Sequence, residues 1–223
     1  MNLSAWRRFL RFGFRLLYNE MAWTYDAVSW LVSRGEWRAW QQATLPYVVG
    51  ERVLELGHGP GHMLLALQQA GYTVVGLDLS LHMGRMARKR IARRRVASIS
   101  LTQGVVQQLP FATAVFDTVV ATFPTEYVVD PRTVAAAYRV LAENGRFVIV
   151  PEGHLTTSGP VTRFIDWLYA ITGQNSGTWA MDGSEAELWR PLRQRFSEAG
   201  FAVSVETVTF PRSQATVIIC QKG

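Results

Sequence analysis

Between residues 50 and 155 the chain switches repeatedly between two hydrophobic rhythms. Short, mostly apolar runs at residues 53–56, 73–78, 96–103, 115–122 and 146–151 have the length and β-branched content of strands. Between them, residues 61–70, 81–93 and 131–142 carry helical spacing, the first run stopped at Gly71. Further on, residues 184–199 read as a helix ended by Gly200. Residues 201–210 and 214–221 then read as two strands joined by a tight Pro211-Arg212-Ser213 turn. This alternation predicts a parallel sheet with helices on both faces, closed by an antiparallel pair. The expected fold is therefore α/β, a doubly wound, mostly parallel seven-stranded sheet with a C-terminal antiparallel hairpin. Residues 1–50 form an added N-terminal helical region, 51–223 the domain proper, and 152–183 an insertion.

The chemistry gathers where the first strand ends. Glu55-Leu56-Gly57-His58-Gly59-Pro60-Gly61-His62 stops a strand on a glycine turn and opens a helix. Glycines there accept positive φ and leave no Cβ between the backbone and a ligand, and Pro60 suits the first turn of the helix. Such a helix start can press on a nucleotide-like ligand. The spacing is G-x-G-x-G, and His62 stands where a dinucleotide-binding turn wants its third glycine. Asp78 ends the second strand, placed to accept from both hydroxyls of a ribose. That property suits NAD and S-adenosylmethionine equally. Glu55 separates them, because a carboxylate at this strand end attracts an ammonium or sulfonium group and repels a pyrophosphate.

Glu55 to Gly61 resembles the first motif of the class I S-adenosylmethionine-dependent methyltransferases. Gly76-Leu77-Asp78-Leu79-Ser80, with Met83 and the helix through Ala87, is similar to their second. Gln103 to Phe111 resembles the family's G-D-A-x-x-L-P-F stretch, 116–120 its fourth strand, and 139–147 the turn into its fifth. The resemblance implies a Rossmann-like fold and S-adenosyl-L-methionine as cofactor. The donor would be held by Glu55, Gly57, His58, Gly59, Gly61 and Asp78, with Leu79, Met83, Val105, Val106 and Thr122 around the adenosine. The chain departs from the family at Val105, where an Asp usually accepts from the adenine amino group; backbone groups near Val106 can substitute.

Residues 21–49 are rich in tryptophan. Tyr25-Asp26, Ser33-Arg34-Gly35, Arg38 and Trp40 resemble the segment before the donor motif in the ubiquinone and menaquinone C-methyltransferases. In that family the segment helps wall the acceptor pocket, which makes Tyr25 and Trp30 pocket candidates. Phe123 and Tyr127 follow the fourth strand, and His154 the fifth, where open α/β sheets bind ligands. With a helix around Trp167 they predict an aromatic pocket for a lipophilic or planar acceptor. Methyl transfer to a phenol, enol or amine requires loss of a proton. His154 is the candidate base by position and intrinsic pKa, ahead of Glu126 and Asp26.

Charge and composition adjust this picture. In a chain of 223 residues, 48% hydrophobic, the single Cys220 excludes an internal disulfide, and no Cys/His cluster has metal-ligand spacing. Seven basic residues lie between Arg85 and Arg95, and without them the formal charge of +6 becomes −1. A basic stripe can meet nucleic-acid phosphates, but this one is expected far from the chemistry, and the fourth strand lacks the N/D-P-P-Y of amine-methylating nucleic-acid enzymes. Residues 3–18 place Arg7, Arg8, Arg11 and Arg15 opposite Trp6, Phe9, Leu10, Leu16 and Leu17. Such a helix rests on an anionic membrane surface, or packs on its own domain or a second subunit in a homodimer. No stretch is long enough to cross a bilayer. The expected place is the cytoplasm, with peripheral contact at the inner membrane face. The expected function is methyl transfer to a small, lipophilic, quinol-like acceptor. Alternatives are a phospholipid N-methyltransferase, an RNA or DNA methyltransferase, and a non-catalytic S-adenosylmethionine-binding protein.

Overall fold

A computed structural model describes residues 33–96, 99–156 and 190–223. Five helices and seven strands follow one another: α1 (Trp37–Gln42), β1 (Arg52–Leu56), α2 (His62–Gln69), β2 (Thr73–Asp78), α3 (Leu81–Arg93), β3 (Ile99–Gln103), β4 (Phe116–Thr122), α4 (Pro131–Val140), β5 (Leu141–Leu155), α5 (Arg190–Glu198), β6 (Phe201–Thr209) and β7 (Ser213–Lys222). The sheet order is β3-β2-β1-β4-β5-β7-β6. β1 through β5 run parallel, and β7 is antiparallel to both its neighbours. The expected fold is thus the one observed. The strand order reverses between β1 and β4, and the crevice at such a point is where open α/β sheets hold ligands. The glycine turn leaves β1 at that crevice.

Strand alternation sorts the core. Leu54, Leu56, Phe147 and Ile149 face α4 and α5 with Val134, Leu192 and Phe196. Val53, Val74 and Val120 face α2 and α3 with Met63, Leu64 and Ile91. Trp40 of α1 and Ala43 just after it cover the β5–β7 part of that second face, against Val148, Val150, Ala215 and Val217. The described part of the N-terminal region is therefore built into the domain. Ser33 Oγ accepts from the Trp37 amide at 3.0 Å. Glu36 accepts from Arg212 of the β6–β7 connection and from Ser213, the first residue of β7, at 3.0 and 3.1 Å. A Cβ at Gly153 would lie 2.3 Å from the Trp40 indole, so β5 carries glycine where the tryptophan lands.

Several boundaries differ from the sequence expectation. Helix α4 ends at Val140 rather than at Ala142, because Leu141 is already extended and pairs with Phe116. β5 consequently begins earlier and runs on to Leu155, its outer end held by β7 alone. Val96 closes α3 by donating to the Ile91 carbonyl, and β3 begins at Ile99. Of the expected 184–199 helix, α5 spans Arg190–Glu198 of the described residues. The 3–18 helix, Tyr25, Trp30 and the segment around Trp167 lie outside them. Among the described residues no helix is long and apolar enough to cross a membrane, and no group of three His, Cys, Asp or Glu side chains could hold a metal.

Candidate active site

The three glycines of the turn all have positive φ, 67° at Gly57, 50° at Gly59 and 81° at Gly61, yet each is glycine for a different spatial reason. A Cβ on Gly57 would lie 2.7 Å from the Tyr127 hydroxyl, and one on Gly61 would lie 2.9 Å from Ala87 Cβ. Around Gly59 a Cβ would meet nothing within 4 Å. The first glycine admits Tyr127 and the third lets α2 pack on α3. The middle one faces open space, the side on which a ligand can approach. The third glycine thus does here, one position earlier, the helix-packing work that a dinucleotide fingerprint gives to its sixth position.

The turn is held from below by β2. Gly57 and His58 amides donate to the Leu77 carbonyl at 2.7 and 3.4 Å. Asp78 accepts from Gly59 N–H through Oδ2 and from Ser80 N–H through Oδ1, both at 2.8 Å. Each carboxylate oxygen keeps a second lone pair, so Asp78 can stay on the turn and still accept from hydroxyls. His58 is 4% exposed and its Nδ1–H donates to the Gly59 carbonyl at 2.7 Å. Burial pushes its pKa down, with the Asp78 charge opposing, so the ring is a neutral strut within the turn.

Glu55 points to the α2 face, level with Gly76 and Val120, and is 1% exposed. Burial raises its pKa well above the carboxylate range and the Asp78 charge adds to this, while the Leu64 backbone N–H opposes both. Its Oε2 has no hydrogen-bond partner among the described residues. A buried, half-satisfied carboxyl is costly, and a cation arriving above the turn would relieve it by favouring the ionised form. Next to this turn lie the large apolar side chains most exposed among the described residues: Leu79 at 67%, Leu81 at 57% and Val105 at 38%. Gly104 N–H on the Asp78 carbonyl at 3.1 Å holds the β2 and β3 ends that carry them side by side. Val106 and Met83, in contrast, are buried. An unpartnered carboxylate oxygen, an open glycine and an exposed apolar ledge together fit an adenosine-bearing cation.

Beyond β4 the chain turns sharply. Phe123 takes φ 49°, a conformation rare for a bulky residue, and its ring stacks on Trp37 at 3.9 Å and 22°. Gln41 Nε2 donates to Thr122 Oγ1 at 3.2 Å, tying α1 to the same strand end. Tyr127, half-buried, donates its hydroxyl to the Leu56 carbonyl at 3.3 Å. Phe123, Thr122 and Tyr127 thus gather around the ends of β1 and β4.

His154 does not join them. It lies within β5 rather than beyond it, opposite Gln214, with Nε2 3.2 Å from Glu152 Oε1. Val150 is the β5 residue level with Thr122, and four further residues add roughly 13 Å along the strand. What the sequence reading missed is α1's direct hold on this edge through Trp37 and Gln41. The Trp spacing was the available signal, but it did not say which tryptophan would reach Phe123.

Residues 54–149 match the family described as "Methyltransferase domain". With the strand order and the turn, this makes the chain similar to the class I S-adenosylmethionine-dependent methyltransferases. More particularly, it is similar to the demethylmenaquinone methyltransferases. That of Symbiobacterium thermophilum is 33% identical over 159 residues, 68% of this chain and 61% of that protein. That of Thermobifida fusca is 32% identical over 155 residues, covering 68% and 65%. The chain spans about three-fifths of the length of the curated relatives it matches. Two solved structures share the fold, each with TM-score 0.58. They are a SAM-dependent methyltransferase of Aquifex aeolicus, 14% identical over 82% of this chain and 89% of that one, and geranyl diphosphate C-methyltransferase of Streptomyces coelicolor, 12% identical over 83% and 79%.

Proposed function

We propose that this protein transfers a methyl group from S-adenosyl-L-methionine to a small, lipophilic, quinol-like acceptor. The observation that carries this reading is the buried Glu55 oxygen without a partner beneath a glycine turn whose middle residue faces open space. The cofactor, when bound, supplies a methyl on a positively charged sulfur that is ready to leave as a neutral sulfide. Asp78 would take ribose hydroxyls on its remaining lone pairs, and Leu79 and Val105 would be covered by the adenine. Glu55, almost without solvent contact, acts through its field rather than by direct touch, favouring the cationic end of the donor.

Alignment and exclusion of water then account for most of the rate enhancement. Tyr127 sits against the glycine turn, where its hydroxyl can orient the acceptor's oxygen and help carry its proton. Phe123 and Trp37 offer an aromatic wall, which Tyr25 and Trp30 would extend. His154 is assigned no proton transfer here, since the register of β5 carries it past the donor edge. A lipophilic acceptor resides in a membrane, and the basic amphipathic residues 3–18 would rest on an anionic cytoplasmic surface to reach it. The demethylmenaquinone methyltransferase relatives support a quinol over a phospholipid or nucleic-acid acceptor.

The test is incubation with methyl-labelled S-adenosylmethionine and a reduced 2-polyprenyl-1,4-naphthoquinone in detergent. Label recovered in the quinone fraction is the expected result. Label in phospholipid or tRNA instead, or in no fraction despite donor binding, would overturn the assignment.

A further inference from the structure

On the sheet face covered by α1, α2 and α3, a cavity of ≈150 Å³ opens where the three helices meet. Arg38 and Gln42 reach it from α1, His62 and Gln69 from α2, and Arg90 and Arg94 from the end of α3. Three arginines line one small space, and no Asp or Glu is among the residues that line it. Several arginines elsewhere are paired. Arg52, Arg132 and Arg212 each meet a carboxylate, and Arg139 and Arg195 donate to carbonyls. Arg38 and Arg94 have no such partner among the described residues. Arg90 is fixed at the wall by donating to the Pro60 carbonyl, inside the glycine turn.

We propose that this cavity binds a phosphate group. The planar guanidinium fork matches two oxygens of a phosphate at once, and a dianion would relieve the mutual repulsion of three cations. Gln42 and Gln69 supply neutral donors. A cavity of ≈150 Å³ has room for a phosphate or pyrophosphate group. Free phosphate and the headgroup of an anionic phospholipid offer the same chemistry. The exposed Arg85, Arg88, Lys89, Arg93 and Arg95 along α3 set a positive field that either would meet. This site does not rest on the methyl-transfer reading and is read by binding alone.

Two probes test it on the full chain at 0.15 M salt, where diffuse attraction beyond ~8 Å is screened: titration calorimetry with inorganic pyrophosphate, and sedimentation with phosphatidylglycerol-containing against pure phosphatidylcholine vesicles. The wild type is compared with an Arg38→Gln/Arg94→Gln variant. At least one probe should bind the wild type and bind the variant ten-fold or more weakly. Heat with pyrophosphate and no preference for anionic vesicles assigns free phosphate; the reverse assigns the lipid headgroup. A wild type that binds neither probe, or a variant that binds both as tightly as the wild type does, overturns the proposal. Both replaced arginines are exposed, so the variant should keep its melting temperature and its affinity for S-adenosylhomocysteine. Should the double variant melt early, Arg94→Gln alone is read by the same criterion, with a three-fold loss expected. Unchanged donor affinity leaves the methyltransferase reading standing whichever way the phosphate result falls.

Discussion

The two sides of the crevice are built by different means. On the proposed donor side, β1, the glycine turn and β2 are close in sequence, and the turn is pinned to β2 by backbone and carboxylate contacts. Asp78 alone pins two amides, and Leu77 receives two more. On the acceptor side, α1, the segment after β4 and the outer end of β5 come from three distant stretches, joined by rings. Trp37 stacks on Phe123, and Trp40 lies on Gly153. Under the proposed function, backbone-held geometry would fix where a common cofactor sits, whereas side-chain packing would leave the acceptor's shape to a few aromatic residues. A fold that serves many acceptors can keep the first and exchange the second.

That contrast is broken most severely at the third glycine. Gly61→Ala combines left-handed backbone strain with a Cβ 2.9 Å from Ala87 Cβ and 3.2 Å from its Cα. The expected loss is about 2–4 kcal/mol of stability, read by denaturant unfolding, with donor binding lost alongside. On the acceptor side, Gly153→Ala carries no positive-φ strain but drives a methyl into the Trp40 indole. It should cost about 1–3 kcal/mol, and the cost should shrink in a Trp40→Leu background while donor affinity stays near wild type.

A smaller effect lies at the base of the sheet. Asp117 accepts from the Glu51 and Arg52 amides and from the Arg52 guanidinium, and the hydrogen bonds from Arg52 hold its pKa down at about 2. Because the folded pKa is depressed, its stabilisation is complete above the ordinary carboxylate value of about 4 and is lost as pH falls toward 2. Unfolding followed from pH 5 to pH 2 should show a shallower decline in Asp117→Asn than in the wild type. Some slope will remain, since Asp130 beside Arg132 titrates in the same window. The smallest effects separate the two candidate proton carriers. Tyr127→Phe should slow turnover about ten-fold, less than the roughly 10²–10⁴-fold of a full general acid or base because Tyr127 chiefly orients the acceptor, with little change in melting. His154→Ala should leave kcat within about three-fold, and a larger loss there would return the proton to His154.

The donor side was legible in the sequence because its geometry is local. A strand, three glycines at alternate positions, and a carboxylate at the next strand end leave little choice of backbone path. The mostly parallel sheet and the closing antiparallel pair followed from the alternation and the resemblance. What the sequence hid was of longer range. Nothing in residues 141–155 reveals that β7 will extend β5 past its parallel neighbour, so His154 read as a loop residue and proved to lie in a strand opposite Gln214. The stop of α4 at Val140 likewise depends on Phe116, far upstream, which pairs with Leu141. The charge of Glu55 is plain in the sequence, whereas its burial depends on the neighbouring strands and α2.

We infer that this crevice holds a cationic sulfur nucleoside through Glu55 and Asp78. Calorimetric titration with S-adenosylmethionine, S-adenosylhomocysteine and NAD, on the wild type and on Asp78→Asn, addresses it most directly. One-to-one binding of both sulfur compounds is expected, tighter for the positively charged one, with at least a ten-fold loss in Asp78→Asn and no heat from NAD. Equal heat from NAD, or silence from both sulfur compounds, would contradict it.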